Sequence, residues 1–538
     1  MLPYLNRISD TNDTKELPHI SEYGSQHRSC LPGTRVGILK DISDWASAQD
    51  PKSPIYCIRD VAGTGKSTIA KSVLDEWDQS IPLSFFFSQK GNSCGNASDL
   101  CFCIKEQIEE HYTDSELEEY WKTLPPLTLK RLRGQAIDLQ WKQLVFQPLE
   151  QLKRGKTYLL VIDSLDECTV DTRDPLVRCL LDACLSGFLS HVRVLITTRD
   201  EEDIRLILDH ESYRGLIQFK ALLHANNTNA DIELYVNHRL AKDGLFIDAP
   251  KQRKSLVTRC GGLFIFASLA CTLLFQIGPG DAPLDKVLER FTSLDALYHQ
   301  ALRQADKSPE FTRRTLKKIL SIILVAKEPL SIMDIATLLS IRTEEVEWRI
   351  RKLGSVLAHG GIHEPVFVLH ATFTEFLVRQ TWVTTSTNKS TNEYAISRPQ
   401  SNRLMAECCL STLLRDLRDN MYQPRPDDGS GQSREIHNVI MPENSRLHNP
   451  SAAVRYAAST WIAHSLPELH IERVVEDLRK VFLQKILNWV ELGAIGDKLG
   501  EYAGSMNLLR TDMEKYLKLA NCVLVRSVSI YPTELTEC

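Results

Sequence analysis

Residues 60–68 of the chain read Asp60-Val61-Ala62-Gly63-Thr64-Gly65-Lys66-Ser67-Thr68. A strand-like apolar run precedes this stretch at 55–59, and a helical pattern follows it at 69–77. Because glycine lacks a Cβ, its backbone can turn so that successive N–H groups point inward around a phosphate. The first turn of the following helix adds the positive end of its dipole. The stretch therefore predicts a phosphate-binding loop between a strand and a helix, with residues 62–68 in contact with the phosphates.

The spacing is that of the Walker A motif, in which a glycine is followed by four variable residues and Gly-Lys-Ser/Thr. In such a loop Lys66 is expected to reach the β- and γ-phosphate oxygens of a nucleoside triphosphate, and the Ser67 hydroxyl to ligate Mg²⁺. Asp60 departs from the pattern because it occupies the place of the first glycine. A charge pair in semi-polar surroundings is worth about 1–4 kcal/mol. We therefore expect Asp60 to weaken nucleotide affinity, and a nucleotide-bound scaffold that does not hydrolyse is the alternative to a slow hydrolase.

A second polar site follows the apolar run at 158–162, which ends in Asp163 and continues as Ser164-Leu165-Asp166-Glu167. A carboxylate at a strand tip is placed to hold a metal ion, directly or through water. Asp163 and Ser67 are therefore the predicted Mg²⁺ ligands. Either Asp166 or Glu167, just past the strand, is expected to orient or deprotonate an attacking water.

The first part of the chain alternates between short apolar runs and helical patterns. The strand candidates are Ile55–Arg59, Leu83–Ser88, Tyr158–Asp163, Arg193–Thr198 and Leu216–Lys220. Strands separated by helical spacers favour a parallel sheet that is covered on both faces. The predicted fold class is an α/β P-loop NTPase with a parallel five-stranded sheet, occupying residues 30–222 after a polar tail at 1–29.

Helical patterns predominate beyond the sheet. Residues 223–305 predict a helical domain, and residues 306–382 predict three helices and a β-hairpin, the order of a winged helix. A polar stretch at 383–402 predicts a linker, and residues 403–538 predict a C-terminal helical region.

Composition narrows the range of partners. The 69 acidic and 64 basic side chains give a formal charge of −5, so we expect no nucleic-acid partner. The uncharged run Gly261–Gly278 is short for a membrane span and contains polar residues, so it predicts a buried helix. The N-terminal residues lack the apolar region of a signal peptide. These features together predict a cytoplasmic protein with no membrane partner.

The fourteen cysteines form no regular CxxC pairs. The cluster nearest to metal-ligand spacing is Cys94, Cys101, Cys103 and His111. Because structural zinc sites usually show two paired knuckles, we expect reduced thiols here.

The stretch VIDSLDE at 161–167 resembles the NACHT signature, in which a hydrophobic run is followed by Asp, a small residue, any residue and Asp-Glu. The run RVLITTR at 193–199 resembles the next strand of that family, where Arg199 takes the sensor position beside the γ-phosphate. Segments at 30–35, 231–235, 262–264, 369–373 and 456–464 also resemble fungal members. The sequence is thus similar to fungal, NLR-like NACHT proteins of the STAND class.

This resemblance implies a signalling switch. ADP would hold the sheet domain, the helical domain and the winged helix together, and exchange for ATP (or GTP) would release them to form a homo-oligomer. Slow hydrolysis would reset the switch, and His370 would contact the bound diphosphate. Protein partners for sensing and output are unknown, and fungal non-self recognition or programmed cell death is the implied setting.

Two other functions fit the sequence less well. A metabolic P-loop kinase would need an acceptor-binding lid, and none is recognisable. DNA binding through the winged helix would use Thr343–Leu357 and would require a net basic face. That segment instead mixes Arg349, Arg351 and Lys352 with Glu344, Glu345 and Glu347.

Overall fold

The computed structural model describes two compact units of the chain, which divide between Leu297 and Tyr298. The described residues are 28–48, 53–88, 95–112, 115–124, 126–152, 156–187, 191–223, 225, 227–242, 250–277, 284–306, 312–383, 389–417, 433–436, 439–442, 450–466, 472–495, 502 and 504–510. The first unit therefore holds the predicted sheet domain together with nearly all of the predicted helical domain.

A five-stranded parallel sheet forms the centre of the first unit, as predicted. Its strands are β1 (Ile55–Arg59), β2 (Leu83–Phe86), β3 (Tyr158–Asp163), β4 (Val192–Thr198) and β5 (Ile217–Lys220). Their order across the sheet is β2-β3-β4-β1-β5, and every neighbouring pair is parallel. Each strand lies within two residues of the bounds expected from the sequence. Because β4 lies between β1 and β3, the carboxyl ends of all three strands meet at one edge of the sheet.

Helices cover both faces of this sheet. They are α1 (Val36–Ser47), α2 (Lys66–Glu76), α3 (Ala97–His111), α4 (Ser115–Lys122), α5 (Pro126–Leu132), α6 (Ile137–Trp141), a π-helical turn (Lys142–Phe146), α7 (Gln147–Gln151), α8 (Val170–Leu185) and α9 (Glu202–Leu208). Successive strand residues enter different core clusters: Ile55 and Leu160 belong to one, and Tyr56 and Leu159 to the other. This alternation explains why the central strands are apolar throughout.

In the described residues that follow the sheet in the first unit, the regular elements are helices. They are α10 (Thr228–Lys242), α11 (Pro250–Cys260), α12 (Phe264–Ile277) and α13 (Leu284–Leu288), and α14 (Leu294–Asp306) continues into the second unit. The uncharged run at 261–278 forms α12, whose 14 residues are mostly buried, as expected for a core helix. Within the described residues, no helix has both the length and the apolar character needed to cross a membrane.

After the end of α14, the second unit continues with three helices and a hairpin. Its elements are α15 (Arg313–Val325), α16 (Ile332–Leu339), α17 (Thr343–Lys352), β6 (Leu357–Ala358), β7 (Phe367–Val368), α18 (Ala371–Val378), β8 (Thr381–Val383), β9 (Lys389–Thr391), α19 (Arg398–Asp416), β10 (Ser433–Ile436), β11 (Val439–Pro442), α20 (Ala452–Ser465) and α21 (Glu472–Ile495). Ser331 begins α16 with a capping box, in which its hydroxyl and the Asp334 carboxylate each accept a main-chain N–H. The hairpins pair β6 with β7, β8 with β9 and β10 with β11.

The linker predicted at 383–402 is wrong for its described part. Strand β9 and the start of α19 lie in this stretch, and the Tyr394 ring between them is fully buried. The Asn392 side chain donates hydrogen bonds to the carbonyls of Phe376 and Arg379, which satisfies its polar atoms. A buried aromatic ring and a satisfied amide thus hold a polar-looking segment in place.

The helix considered for DNA recognition ends at Lys352, and its basic side chains have intramolecular partners. Arg349 is fully buried and donates to the carbonyls of Ala305 and Thr312. Arg351 pairs with Glu347 one turn earlier on the same helix. Groove binding by this helix would have to replace these intramolecular contacts, since DNA would need the same donors.

The cysteine cluster considered for zinc is only partly described. Cys94 lies outside the described residues, whereas Cys101 and Cys103 are buried on α3 in the sheet core. Burial raises the pKa of the Cys101 thiol. Such a thiol behaves as a small apolar side chain and reacts slowly.

Candidate nucleotide-binding site

The glycine-rich stretch forms a turn between β1 and α2, which we call the P-loop (residues 60–68). Gly63 and Gly65 have φ angles of +85° and +94°, where glycine is strongly favoured. The Gly63 carbonyl accepts a hydrogen bond of 3.1 Å from the N–H of Ile265, the second residue of α12. A Cβ at position 63 would lie 2.1 Å from Ile265 Cγ2, whereas one at position 65 would meet nothing within 4 Å. Position 63 therefore requires glycine for backbone and packing, and position 65 for backbone alone.

Lys66 is the first residue of α2, and its side chain folds back over the loop. It is 8% exposed, and its Nζ donates hydrogen bonds of 2.9 Å to the carbonyls of Asp60 and Val61. Burial lowers the pKa of Lys66, while the nearby carboxylates of Asp166, Asp163 and Asp60 act in the opposite direction. The two hydrogen bonds place the ammonium group at the start of the loop.

The loop backbone offers hydrogen-bond donors for an anion. Among the described residues, no protein acceptor meets the main-chain N–H groups of Gly63, Thr64 and Gly65. The N–H groups in the first turn of α2, including those of Ser67 and Thr68, have no intrahelical acceptor by construction. Ala62, Ser67 and Thr68 are all half-buried. This cradle of donors fits a phosphate chain.

Asp163 ends β3 and is 1% exposed. Its carboxylate accepts hydrogen bonds from the Thr197 hydroxyl (2.5 Å) and the Ser164 hydroxyl (3.0 Å). Both of these donors are neutral hydroxyl groups. Buried carboxylates are normally paired with a cation or bound to a metal, so Asp163 fits a Mg²⁺ ligand.

Thr197 was missed by sequence reasoning. It stands at the end of β4, one residue beyond the paired residues Ile162 and Ile196, and its hydroxyl also accepts the Ser164 N–H. A hydroxyl residue after three consecutive apolar residues in a buried strand was the available signal.

Asp166 holds Arg199 across the gap between the ends of β3 and β4. Its Oδ1 accepts the Arg199 main-chain N–H at 2.9 Å, and its Oδ2 lies 3.1 Å from Arg199 Nε. Asp166 is 8% exposed, whereas Glu167, the next residue, is half-buried. Since both oxygens of Asp166 bind Arg199, Glu167 is the better candidate for contact with a water molecule.

Arg173 on α8 contacts the backbone of the turn Asp163–Glu167, which we call the acid turn. Sequence reasoning missed this residue. Its side chain is 4% exposed and donates to the Asp166 carbonyl at 3.0 Å. The same guanidinium pairs with Asp203 and lies 3.5 Å from the Glu201 carboxylate. Burial raises the pKa of Glu201, the Asp166 charge adds to this, and Arg173 opposes it. The available signal was an arginine on the apolar stripe of α8, three residues before the buried Leu176.

Arg35, just before α1, links the P-loop to the helices that follow the sheet. Its guanidinium donates to the Thr64 carbonyl at 2.8 Å and to the Thr228 hydroxyl at 3.0 Å. It also lies 4.9 Å from the centre of the Phe264 ring. Burial lowers the pKa of Arg35. The sequence marked this segment as a point of resemblance but did not indicate these contacts.

Asp60 does not have the surroundings expected from the sequence. Its carboxylate accepts main-chain N–H groups from Val61 (2.6 Å), Leu223 (2.7 Å) and Leu222. The side chain is 7% exposed and points at backbone donors beside β5. Its negative charge is therefore solvated by the protein itself.

His370 lies in the second unit, where it is half-buried and precedes the first residue of α18. The P-loop and the acid turn both lie in the first unit. The expected contact between His370 and a diphosphate stays a prediction.

The parallel sheet, the glycine turn with Lys66 and the buried Asp163 define a P-loop NTPase fold. Residues 33–199, which contain the P-loop and the acid turn, match a family described as "Nephrocystin 3, N-terminal". No curated protein matches the chain.

Solved structures similar to the chain include three P-loop proteins at low identity. A Walker-type ATPase of Pyrococcus abyssi is 10% identical, covers 65% of this chain and 97% of its own, and has a TM-score of 0.36. Cdc6p from Pyrobaculum aerophilum is 13% identical, with 68% and 96% covered and a TM-score of 0.28. A RuvB mutant from Thermotoga maritima is 11% identical, with 64% and 96% covered and a TM-score of 0.26.

Proposed function

We propose that the chain binds a nucleoside triphosphate, with ATP as the first candidate, and hydrolyses it slowly. The observation that carries this proposal is the convergence of Lys66 with Asp163, Asp166 and Arg199 at one edge of the sheet. Strands β1 and β3 both lie beside β4 in the parallel sheet, so the P-loop and the acid turn follow strand ends at the same edge, where Asp166 contacts Arg199. The loop amides of Gly63, Thr64 and Gly65 meet no protein acceptor among the described residues, so they can supply the donors that a phosphate chain requires.

Ser67 and Asp163 are the proposed ligands of Mg²⁺, with Asp163 binding directly or through water. The hydroxyls of Thr197 and Ser164 orient the Asp163 carboxylate and leave its remaining lone pairs for the ion. Mg²⁺ held by these residues would supply positive charge against the charge that develops during phosphoryl transfer.

Glu167 is the proposed general base. Asp166 is instead assigned to holding Arg199, because both of its oxygens already contact that residue. The ion pair fixes the Arg199 side chain at the strand ends, where its positive charge is available to a γ-phosphate. This assignment separates the two acids that the sequence left as equivalent candidates.

The NACHT resemblance extends the proposal to a signalling role. In that role, slow hydrolysis would time a switch between an ADP-bound resting form and an ATP-bound form that assembles into a homo-oligomer. A fungal origin and a part in cell death belong to this proposal as well. The nucleotide retained through purification tests the resting form, because a switch of this kind should carry ADP.

Phosphate release provides the direct test. We expect Glu167→Gln to slow hydrolysis by about 10²- to 10⁴-fold while the triphosphate Kd stays within twofold. Asp171→Asn is the matched control, because this exposed carboxylate lies four residues further on, in the first turn of α8, and faces solvent. Hydrolysis that survives the combined loss of Asp166 and Glu167 would place the base elsewhere. A wild-type chain that binds triphosphate without releasing phosphate would instead be a nucleotide-bound scaffold.

A further inference from the structure

Asp60 occupies the position of the first glycine of the Walker A motif, yet it is built into the protein interior. Of the main-chain N–H groups that its carboxylate accepts, one is local (Val61) and two belong to the residues just after β5, Leu222 and Leu223. Those two residues are 162 and 163 positions away along the chain. The contact therefore joins the P-loop to the connection between β5 and α10, which we call the β5–α10 connection (described residues 221–223, 225 and 227).

The same connection is held from a second direction. Thr228 begins α10, and its hydroxyl donates to the Leu222 carbonyl at 2.9 Å while accepting from Arg35 at 3.0 Å. Arg35 in turn donates to the Thr64 carbonyl of the P-loop. Both main-chain polar groups of Leu222 are therefore hydrogen-bonded: its N–H donates to Asp60 and its carbonyl accepts from Thr228.

The P-loop itself depends on Asp60 at a further point. The Asp60 carbonyl is one of the two acceptors of Lys66 Nζ, so a shift of residue 60 also shifts the lysine that faces the phosphates. An aspartate in this place thus performs two tasks: its side chain fixes the connection, and its main chain guides Lys66.

We propose that Asp60 is a positioning residue, which anchors the start of the P-loop to the β5–α10 connection and so keeps the loop in the geometry that binds triphosphate. The proposal rests on the proposed nucleotide binding. It predicts a change in triphosphate affinity, on replacing Asp60, that is opposite to the change expected from charge alone. If Asp60 acted mainly as a negative charge near phosphate, its removal would tighten binding. If it positions the loop, its removal weakens binding.

The sign of the affinity change is therefore the test. In Asp60→Asn, the amide keeps one acceptor but presents an N–H₂ to a backbone donor, and in Asp60→Gly all three hydrogen bonds are lost. We expect both variants to weaken the triphosphate Kd about tenfold or more, since hydrogen bonds to a charged acceptor are the strong ones. Asp209→Asn is the matched control: it removes a partly exposed carboxylate that pairs with Arg59, beside Asp60, and it should leave the Kd within twofold. An unchanged or tighter Kd in either Asp60 variant would overturn the proposal.

Hydrogen exchange at Leu222 and Leu223 tests the anchor without nucleotide. We expect exchange at both amides to accelerate at least tenfold in Asp60→Gly, because both donate to the same carboxylate oxygen, and to be unchanged in Asp209→Asn. Unchanged exchange in Asp60→Gly would overturn the proposed anchor even if affinity fell. Should the Asp60 variants fail to fold, Thr228→Val removes the other tie to Leu222 and must weaken the Kd in the same direction, or the proposal is wrong. A wild-type chain that binds no triphosphate would refute the proposed function, while the exchange result would still decide whether the anchor exists.

Discussion

Replacing Arg173 by glutamine would remove the support of the acid turn. Its hydrogen bond to the Asp166 carbonyl joins a buried cation to a main-chain acceptor, and leaving such an acceptor unpaired costs about 1–3 kcal/mol. Its carboxylate partners, Glu201 and Asp203, are 42% and 48% exposed, so each lost pair adds only about 0.2–1 kcal/mol. We therefore expect Arg173→Gln to lower the free energy of unfolding of the first unit by about 2–4 kcal/mol.

Catalysis should respond differently from binding in this variant. Glu167 follows the carbonyl that Arg173 holds, so we expect phosphate release to slow about tenfold while the triphosphate Kd stays within twofold, because the P-loop does not contact Arg173. Urea unfolding, phosphate release and nucleotide titration measure the three quantities. Arg178→Gln is the matched control, since this half-exposed arginine on the same helix pairs with Asp174 one turn away and should contribute at most about 0.5 kcal/mol. Equal stability of the Arg173 variant and the wild type, or a Kd that weakens as much as the rate falls, would refute the reasoning.

Three further substitutions test the loop and the metal ligand. Lys66→Ala should raise the triphosphate Kd by at least tenfold, whereas Lys71→Ala, on the exposed side of the same helix, should leave it within twofold in the same titration. Gly63→Ala should abolish nucleotide binding, since its Cβ would overlap Ile265, and a variant that still binds would show that α12 can move aside. Asp163→Asn should weaken triphosphate binding in the presence of Mg²⁺ but not in EDTA. Equal weakening in both conditions would contradict the role of Asp163 as a Mg²⁺ ligand.

Local pattern was sufficient for the sheet. Strands such as β3 and β4 are apolar throughout and are bounded by polar turns, so their positions and their parallel arrangement follow from burial on both faces. The same holds for α12. Its short length and its polar residues predict a core helix and not a membrane span, and most of its side chains are buried. The P-loop was readable because its glycines must adopt positive φ angles.

Contacts between residues far apart in the sequence could not be predicted from the sequence. Nothing near Asp60 indicates that its carboxylate meets amides more than 160 residues away, so charge alone suggested the opposite role. Arg173 and Arg35 are similar cases, because a buried arginine is recognised only when its carbonyl and carboxylate acceptors are known. For this reason the sequence could nominate Asp166 and Glu167 together but could not separate them.

The prediction of a linker at 383–402 differs from the structure for another reason. The polar composition of a segment is an average, and it hides a single residue that is buried. Here Tyr394 is fully buried, and its ring packs against His299 and Arg313. A single well-packed aromatic side chain outweighs several polar neighbours whose hydrogen bonds are satisfied locally.

The tie between Asp60 and Leu222 also has a consequence for synthesis on the ribosome. The two residues are 162 positions apart, and at about 5–20 residues per second the partner amide emerges roughly 8–30 seconds after the aspartate. Until then the nascent chain carries a complete nucleotide motif whose first carboxylate has no distant partner. Under the proposed positioning role of Asp60, the P-loop would therefore reach its binding geometry only after the last strand of the sheet has been made, and a chain that stalls before that strand would lack this geometry.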